Sequence, residues 1–262
     1  MWRYLSHRHV LPLDAVYVTD YATFCFTRLT NGGTLFDLVR RHRGGLKLNQ
    51  AKLYAYQLAQ ALRYLHQDAR VVHRDIKLEN CLLDLTPLAD AEDVSHLVLC
   101  DFGMAEWLPM ETSVNSPDPY DDATDRPPPK NIGPSDTSTS RAGSLEYASP
   151  ELLMSSEGVL DAVVDMWAFG VVAFSLLVGS RPFHDSFQPR IRGHILSGEW
   201  NRGAILKGDG DLQERQNALD LVRGCLEMDP VKRWTISDVM SSQWFRDCVP
   251  KTKDDAPSQW HC

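Results

Sequence analysis

The sequence predicts an α+β fold in which a small β-rich stump is followed by a large, mainly α-helical body. Three observations carry this. Residues 10–29 alternate short β-favouring runs, VLPL, AVYV and FCFT, which is the pattern of short strands. Residues 49–66 place Ala51, Ala55, Leu58, Leu62 and Leu65 at helical spacing, the mark of an amphipathic helix. From residue 147 onward helical patterns dominate.

Taken in order, the runs at 10–29 are separated by Asp14 and Thr19-Asp20 and give two or three strands with an open apolar edge at Val18, Phe24 and Phe26. Such an edge invites pairing with other chains. Asn31-Gly32-Gly33 breaks the strand pattern, and TLFDLVRR then starts a helix with Thr34 as its cap. The basic cluster Arg40-Arg41-His42-Arg43 reads as the solvated end of that helix. Asn49 lies near the start of the next helix, which is followed by three compact β-type runs at 71–72, 81–84 and 96–100. Residues 104–143 hold seven prolines and seven acidic residues among many Ser and Thr. This composition cannot bury enough apolar surface to offset the entropy of ordering, so the stretch is expected to be disordered. In the helical body, Ala218, Leu219, Val222, Cys225 and Leu226 make one apolar face, ended by Asp229-Pro230. TISD at 235–238 is a capping box opening a last helix that runs through Trp244-Phe245.

Bulk properties narrow the function. The 262 residues suffice for one large domain or two modest ones, and 43% hydrophobic with 24% charged residues is ordinary globular composition. A net charge of −8 argues against broad nucleic-acid binding, which needs cations to neutralise phosphates. Six cysteines show no CxxC spacing; Cys25, Cys81 and Cys100 lie in apolar runs and read as buried free thiols in a reducing compartment. MWRYLSHRHV has no apolar signal-peptide core. Val163–Val178 is apolar but short for a bilayer and contains Asp165, so it is expected to be the buried axis of the domain and not a membrane span.

The chemistry is concentrated in VVHRDIKLENCLLD, residues 71–84. Here the chain resembles the eukaryotic protein kinase family, on its serine/threonine branch. HRD-x-K-x-x-N at 73–80 is followed in the family's order by DFG at 101–103, ASPE at 148–151, DMWAFG at 165–170 and KRW at 232–234. A lone DFG would carry little weight, but ordered independent motifs along nearly the whole chain carry a great deal. The resemblance implies a protein-kinase-like fold in which residues 1–30 are a remnant of the small lobe and hinge. Residues 31–246 would be the helical lobe, with 104–143 as an activation-segment insert, and 247–262 a tail.

It also implies roles. Asp75 accepts the proton of the substrate hydroxyl, a task for a fixed carboxylate, and Lys77 supplies positive charge beside the transferring phosphoryl group. Asn80 and Asp101 are hard oxygen ligands suited to the Mg2+ that bridges the phosphates of ATP. Nucleotide contacts fall on Arg28 and Thr30 in a hinge-like stretch, on Thr34, Lys77 and Leu82, and on Asp101. His73 and Phe102 pack in a buried stack, Asp165 holds the catalytic-loop backbone, and Glu151 with Arg233 forms a buried ion pair. Arg74 faces the activation segment, where the family holds a phosphorylated residue; the matching position is Ser140, with Thr137 and Thr139 beside it, and an acidic residue is the alternative counter-charge. Ser144 matches the hydroxyl that contacts Asp75 and Lys77 and favours Ser/Thr acceptors.

The family's glycine-rich loop, strand lysine and partner glutamate have no match in these residues. The expectation is therefore an ATP-dependent serine/threonine kinase represented by a fragment, with little transfer from the chain alone. The alternative is a catalytically weak pseudokinase acting as a binding module. Protein substrates with Ser/Thr acceptors and a cytoplasmic location, with the nucleus as an alternative, complete the expectation.

Overall fold

The computed structural model describes residues 1–88, 91–108, 145–155 and 159–248. It bears out the α+β class, with short strands at the N-terminal side and helices dominating the remainder. Strands β1 (Ala15–Val18) and β2 (Thr23–Phe26) form an antiparallel hairpin, as the sequence predicts. Every residue of both strands is exposed, so the apolar edge at Val18, Phe24 and Phe26 lies open. Cys25 is exposed with them, which corrects its expected burial. The alternation of the strand promises one covered face, but the residues of both faces are exposed.

Helix α1 (Leu35–Arg41) begins at a capping box in which Thr34 and Asp37 exchange hydrogen bonds, satisfying amides that have no intrahelical partner. The amphipathic pattern at 49–66 becomes α2 (Leu48–Arg63), which continues into a wider turn at Tyr64–Asp68 closed by the Ala69 N–H on the Tyr64 carbonyl. Strand β3 (Val71–Val72) leads into the catalytic-loop sequence, and β4 (Cys81–Leu88) pairs antiparallel with β5 (Ala91–Leu99). Strand β6 (Glu106–Trp107) pairs back on β3. The expected disordered stretch therefore begins too early: Met104 ends a tight turn, Glu106–Trp107 pair with β3 and the Leu108 N–H donates to the Arg70 carbonyl, while 109–144 lie outside the described residues, as do 249–262 of the tail.

The helical body comprises α3 (Pro150–Met154), α4 (Val163–Val178), α5 (Gln188–Ser197), α6 (Gly203–Leu206), α7 (Leu212–Cys225) and α8 (Ile236–Met240). Helix α4 is the axis. Val164 through Leu177 are all buried, with α2 and α7 packed against it. Burying each large apolar side chain of this kind contributes about 1.5–3 kcal/mol, which explains why a helix apolar all round sits here. No described helix is long and apolar enough to cross a membrane. The Thr235–Asp238 capping box is present, but α8 stops at Met240, and Trp244 and Phe245 lie in a separate tight helical turn, Gln243–Cys248. The Ser241-Ser242 pair interrupts the helix, since short hydroxyl side chains favour caps and turns over helix interiors.

Two glycines join helix ends. Gly45, in the loop between α1 and α2, and Gly179, closing α4, have φ of 88° and 82°, a region that favours glycine. A β-carbon on Gly45 would meet the Leu177 carbonyl oxygen at 2.2 Å, and one on Gly179 would meet main-chain atoms of Arg43 and Gly45 at 2.6 Å.

The N-terminal segment docks through histidines. The His7 ring stacks on Tyr64 at 5.0 Å, and buried His9 bonds to the Leu97 carbonyl at 2.8 Å and packs against His96 at 4.9 Å. Burial, with Arg8 and Arg63 nearby, lowers His7 to about 4, and burial lowers His9 to about 3. The unfolded chain therefore takes up these protons first. Stability is fully present above about pH 6.5 and falls toward pH 4, by up to about 1.4 kcal/mol per pH unit for each linked histidine. Urea unfolding at pH 7 and pH 5 should show this loss, and His9→Gln should flatten it; an unchanged slope would contradict the assignment.

Candidate active site

The catalytic loop is held from beneath by α4. Asp165, in the first turn of that helix and 1% exposed, accepts hydrogen bonds from the backbone N–H groups of His73 at 2.8 Å and Arg74 at 2.7 Å. His66 donates Nε2–H to the same carboxylate at 2.9 Å. Burial pushes the Asp165 carboxyl up, but these donors outweigh it and hold the group below the usual carboxylate range. With this support Arg74 adopts a left-handed φ of 69°, a conformation that costs free energy for a side-chain-bearing residue.

The loop that results gathers its polar groups tightly. Lys77 Nζ lies 2.6 Å from Asp75 Oδ2, and Asn80 Nδ2 donates to the same oxygen at 3.0 Å and to the Asp75 carbonyl at 2.8 Å. Among the described residues no hydrogen bond or ion pair falls on Asp75 Oδ1. Asn80 uses its amide NH2 inside the loop, and among the described residues no hydrogen bond falls on its side-chain carbonyl oxygen. Asp101 is exposed, in a left-handed backbone conformation of φ 63°, and accepts from the Gly103 N–H at 3.3 Å. The Cys100 N–H donates to the Asn80 carbonyl at 3.0 Å, which ties the Asp101 turn to the catalytic loop. An amide oxygen and an exposed carboxylate fit Mg2+, which keeps most of its shell as waters and phosphate oxygens.

Behind these residues runs an aromatic stack. Phe102 packs edge-on against His73 at 4.9 Å and tilted, at 32°, against Trp2 at 5.8 Å. His73 is fully buried; it donates Nε2–H to the Cys100 carbonyl at 3.0 Å while Nδ1 accepts the Asp75 N–H at 3.3 Å. Burial lowers its pKa, consistent with the neutral tautomer those two bonds require.

The remaining expected residues are dispersed. Glu151 and Arg233 form a bidentate pair at 2.6 and 2.9 Å, with Arg233 also bonded to the carbonyls of Val163 and Glu227. Removing one partner of such a buried pair costs about 3–5 kcal/mol. Arg28 pairs with Asp84 at 3.3 Å, Thr30 is half-buried, and the Thr34 hydroxyl is engaged in the α1 cap. Leu82 bridges to Thr34 through the backbone and is half-buried. Ser140 and Ser144, with Thr137 and Thr139, lie outside the described residues.

Four participants, His66, Tyr147, Arg181 and Glu106, are not singled out by sequence reading. His66 looks like an ordinary helix residue, although a lone histidine in the apolar run ALRYLH hints at a buried partner. Tyr147 donates to Glu79 Oε2 at 3.3 Å, and Arg181 joins Glu79 at 3.7 Å and Glu146 at 2.7 Å, fixing the short turn Leu145–Tyr147 against the catalytic loop. Glu106 pairs with Arg74 at 2.8 Å; the sequence offers an acidic residue as the counter-charge of Arg74 but does not say which one.

Comparison with known proteins agrees with this geometry. The chain is 31% identical over 95% of its length to the calcium and calcium/calmodulin-dependent serine/threonine-protein kinase of Oryza sativa subsp. japonica, covering 42% of that protein. It is 28% identical over 92% of its length to the protein kinase kin1 of Schizosaccharomyces pombe, covering 22% of it. The corresponding figures for human ribosomal protein S6 kinase alpha-4 are 29%, 92% and 28%. The chain thus spans less than half the length of these relatives. The protein kinase domain model matches residues 1–245, and with the catalytic-loop geometry beneath that match the chain belongs to the protein kinase family.

Proposed function

We propose that the protein transfers the γ-phosphoryl group of ATP to serine or threonine hydroxyls of protein substrates. The observation that carries this is the loop in which Lys77 and Asn80 both hold Asp75 Oδ2 and no partner falls on Oδ1 among the described residues. Phosphoryl transfer is largely positioning and charge stabilisation, and such a loop supplies both. Asp75 takes the hydroxyl proton through Oδ1, and Lys77 offsets charge on the transferring group. Asn80 and Asp101 would hold Mg2+, which supplies charge neutralisation of the phosphates. The serine/threonine choice is supported by Lys77 and by the character of the relatives. Five free cysteines among the described residues fit a reducing compartment, the cytoplasm in this reading.

The test is transfer of labelled γ-phosphate from ATP by the full-length protein to a mixed protein substrate. The expected result is Mg2+-dependent phosphoserine or phosphothreonine, lost by at least about a hundredfold in Asp101→Ala. A correctly folded full-length protein that transfers nothing would favour a binding module, and label found on tyrosine would overturn the acceptor assignment.

A further inference from the structure

Arg74 meets its counter-charge inside the described structure. Its Nη1 lies 2.8 Å from Glu106 Oε1, with the two side chains 6% and 19% exposed. Both ends are placed by backbone before the side chains meet. Arg74 is held by Asp165 through its own N–H. Glu106 sits opposite Val72 in the β3–β6 register, and the following Leu108 N–H donates to the Arg70 carbonyl at 2.8 Å. The backbone at both ends is thus already fixed, and the low exposure of the two side chains leaves the pair less screened than an exposed surface ion pair.

We propose that Glu106 is the resident counter-ion of Arg74, and that it fixes the start of the activation segment in its working conformation without a phosphate on that segment. The inference deepens the kinase reading and rests on it for its catalytic consequence. A phosphoryl group carries about −1.5 to −2 charge at neutral pH. Brought to the same guanidinium, it would face Glu106 as a like charge and would have to expel a half-buried carboxylate from its only described cation. The pair also lies five residues after Asp101 and one residue before Asp75, so it clamps both halves of the site at once.

The test uses the full-length protein. After phosphatase treatment, and in the combined Thr137→Ala, Thr139→Ala and Ser140→Ala variant, kcat/KM should stay within about twofold of the untreated protein. Glu106→Ala should lower it at least about tenfold, with Glu106→Gln, which keeps the shape and removes the charge, lowering it similarly. A tenfold fall in the triple variant, or no fall in Glu106→Gln, would overturn the proposal. Amide hydrogen exchange gives a readout that does not depend on transfer. In unphosphorylated protein the Glu106 and Leu108 amides should be protected, and Glu106→Gln should release them while the triple variant keeps them. Protection that appears only after phosphorylation would equally overturn the proposal. A protein that transfers no phosphate yet shows the expected exchange pattern would defeat the kinase reading and leave the pair standing.

Discussion

Replacing Asp75 with asparagine should lower kcat by about 10²–10⁴-fold, the usual contribution of a positioned general base, while leaving fold and nucleotide affinity close to unchanged. The substitution is nearly isosteric, and among the described residues the groups that hold this side chain do so at one oxygen. Lys77 and Asn80 both bind Oδ2, and an amide oxygen can occupy that place. What disappears is the basic lone pair on the other side, the one proposed to take the substrate proton. The variant's thermal midpoint measured beside its kcat separates the two effects. A loss of activity accompanied by a matching loss of stability would mean that Asp75 is structural here, and a variant retaining a tenth or more of the rate would remove it from proton transfer.

The second large effect concerns Asp165. Asp165→Ala should destabilise the protein by roughly 3–5 kcal/mol, because it strands the His73 and Arg74 amides and the His66 ring N–H in a buried site, each costing about 1–3 kcal/mol when unpaired. Against a typical total stability of about 5–15 kcal/mol, this is severe. Asp165→Asn should fall between, since the amide keeps one acceptor but turns its NH2 toward groups that are themselves donors. Urea midpoints with unchanged slope provide the measurement. A loss below about 1 kcal/mol for the alanine variant would mean that water satisfies those donors. Activity should fall further than stability alone explains, since the left-handed turn at Arg74 depends on the same carboxylate.

Much of this was legible in the sequence because it is encoded locally. The Thr34 and Thr235 caps depend on residues three apart, the α2 pattern on a helical period, and the catalytic loop on a run of eight residues. What sequence reading missed depends on distance or on what does not pack. Glu106 reaches Arg74 only because β6 returns to β3, a pairing of two residues in each strand that no period announces. His66 acquires meaning only from Asp165 on another helix. Cys25 alternates like a half-buried strand residue, yet burial needs a covering layer, and the residues of both hairpin faces are exposed. The break between α8 and the turn at Gln243–Cys248 was misread because apolar Trp244 and Phe245 keep the helical period through a pair of serines.

The meeting of Gly45 and Gly179 has an evolutionary consequence. Where a large side chain crowds a small one, drift can proceed by shrinking the neighbour first and enlarging the residue afterwards. Here the atoms that a new β-carbon would strike are main-chain atoms of Leu177, Arg43 and Gly45 itself, and no substitution makes a backbone smaller. No compensating change at a single neighbouring position can open the route, so the two sites form a ratchet. A lineage that holds both glycines can exchange them only by rebuilding the loop between α1 and α2 or the end of α4 as a unit. Insertions and deletions there, and not point replacements, are the changes by which this corner of the protein could diverge.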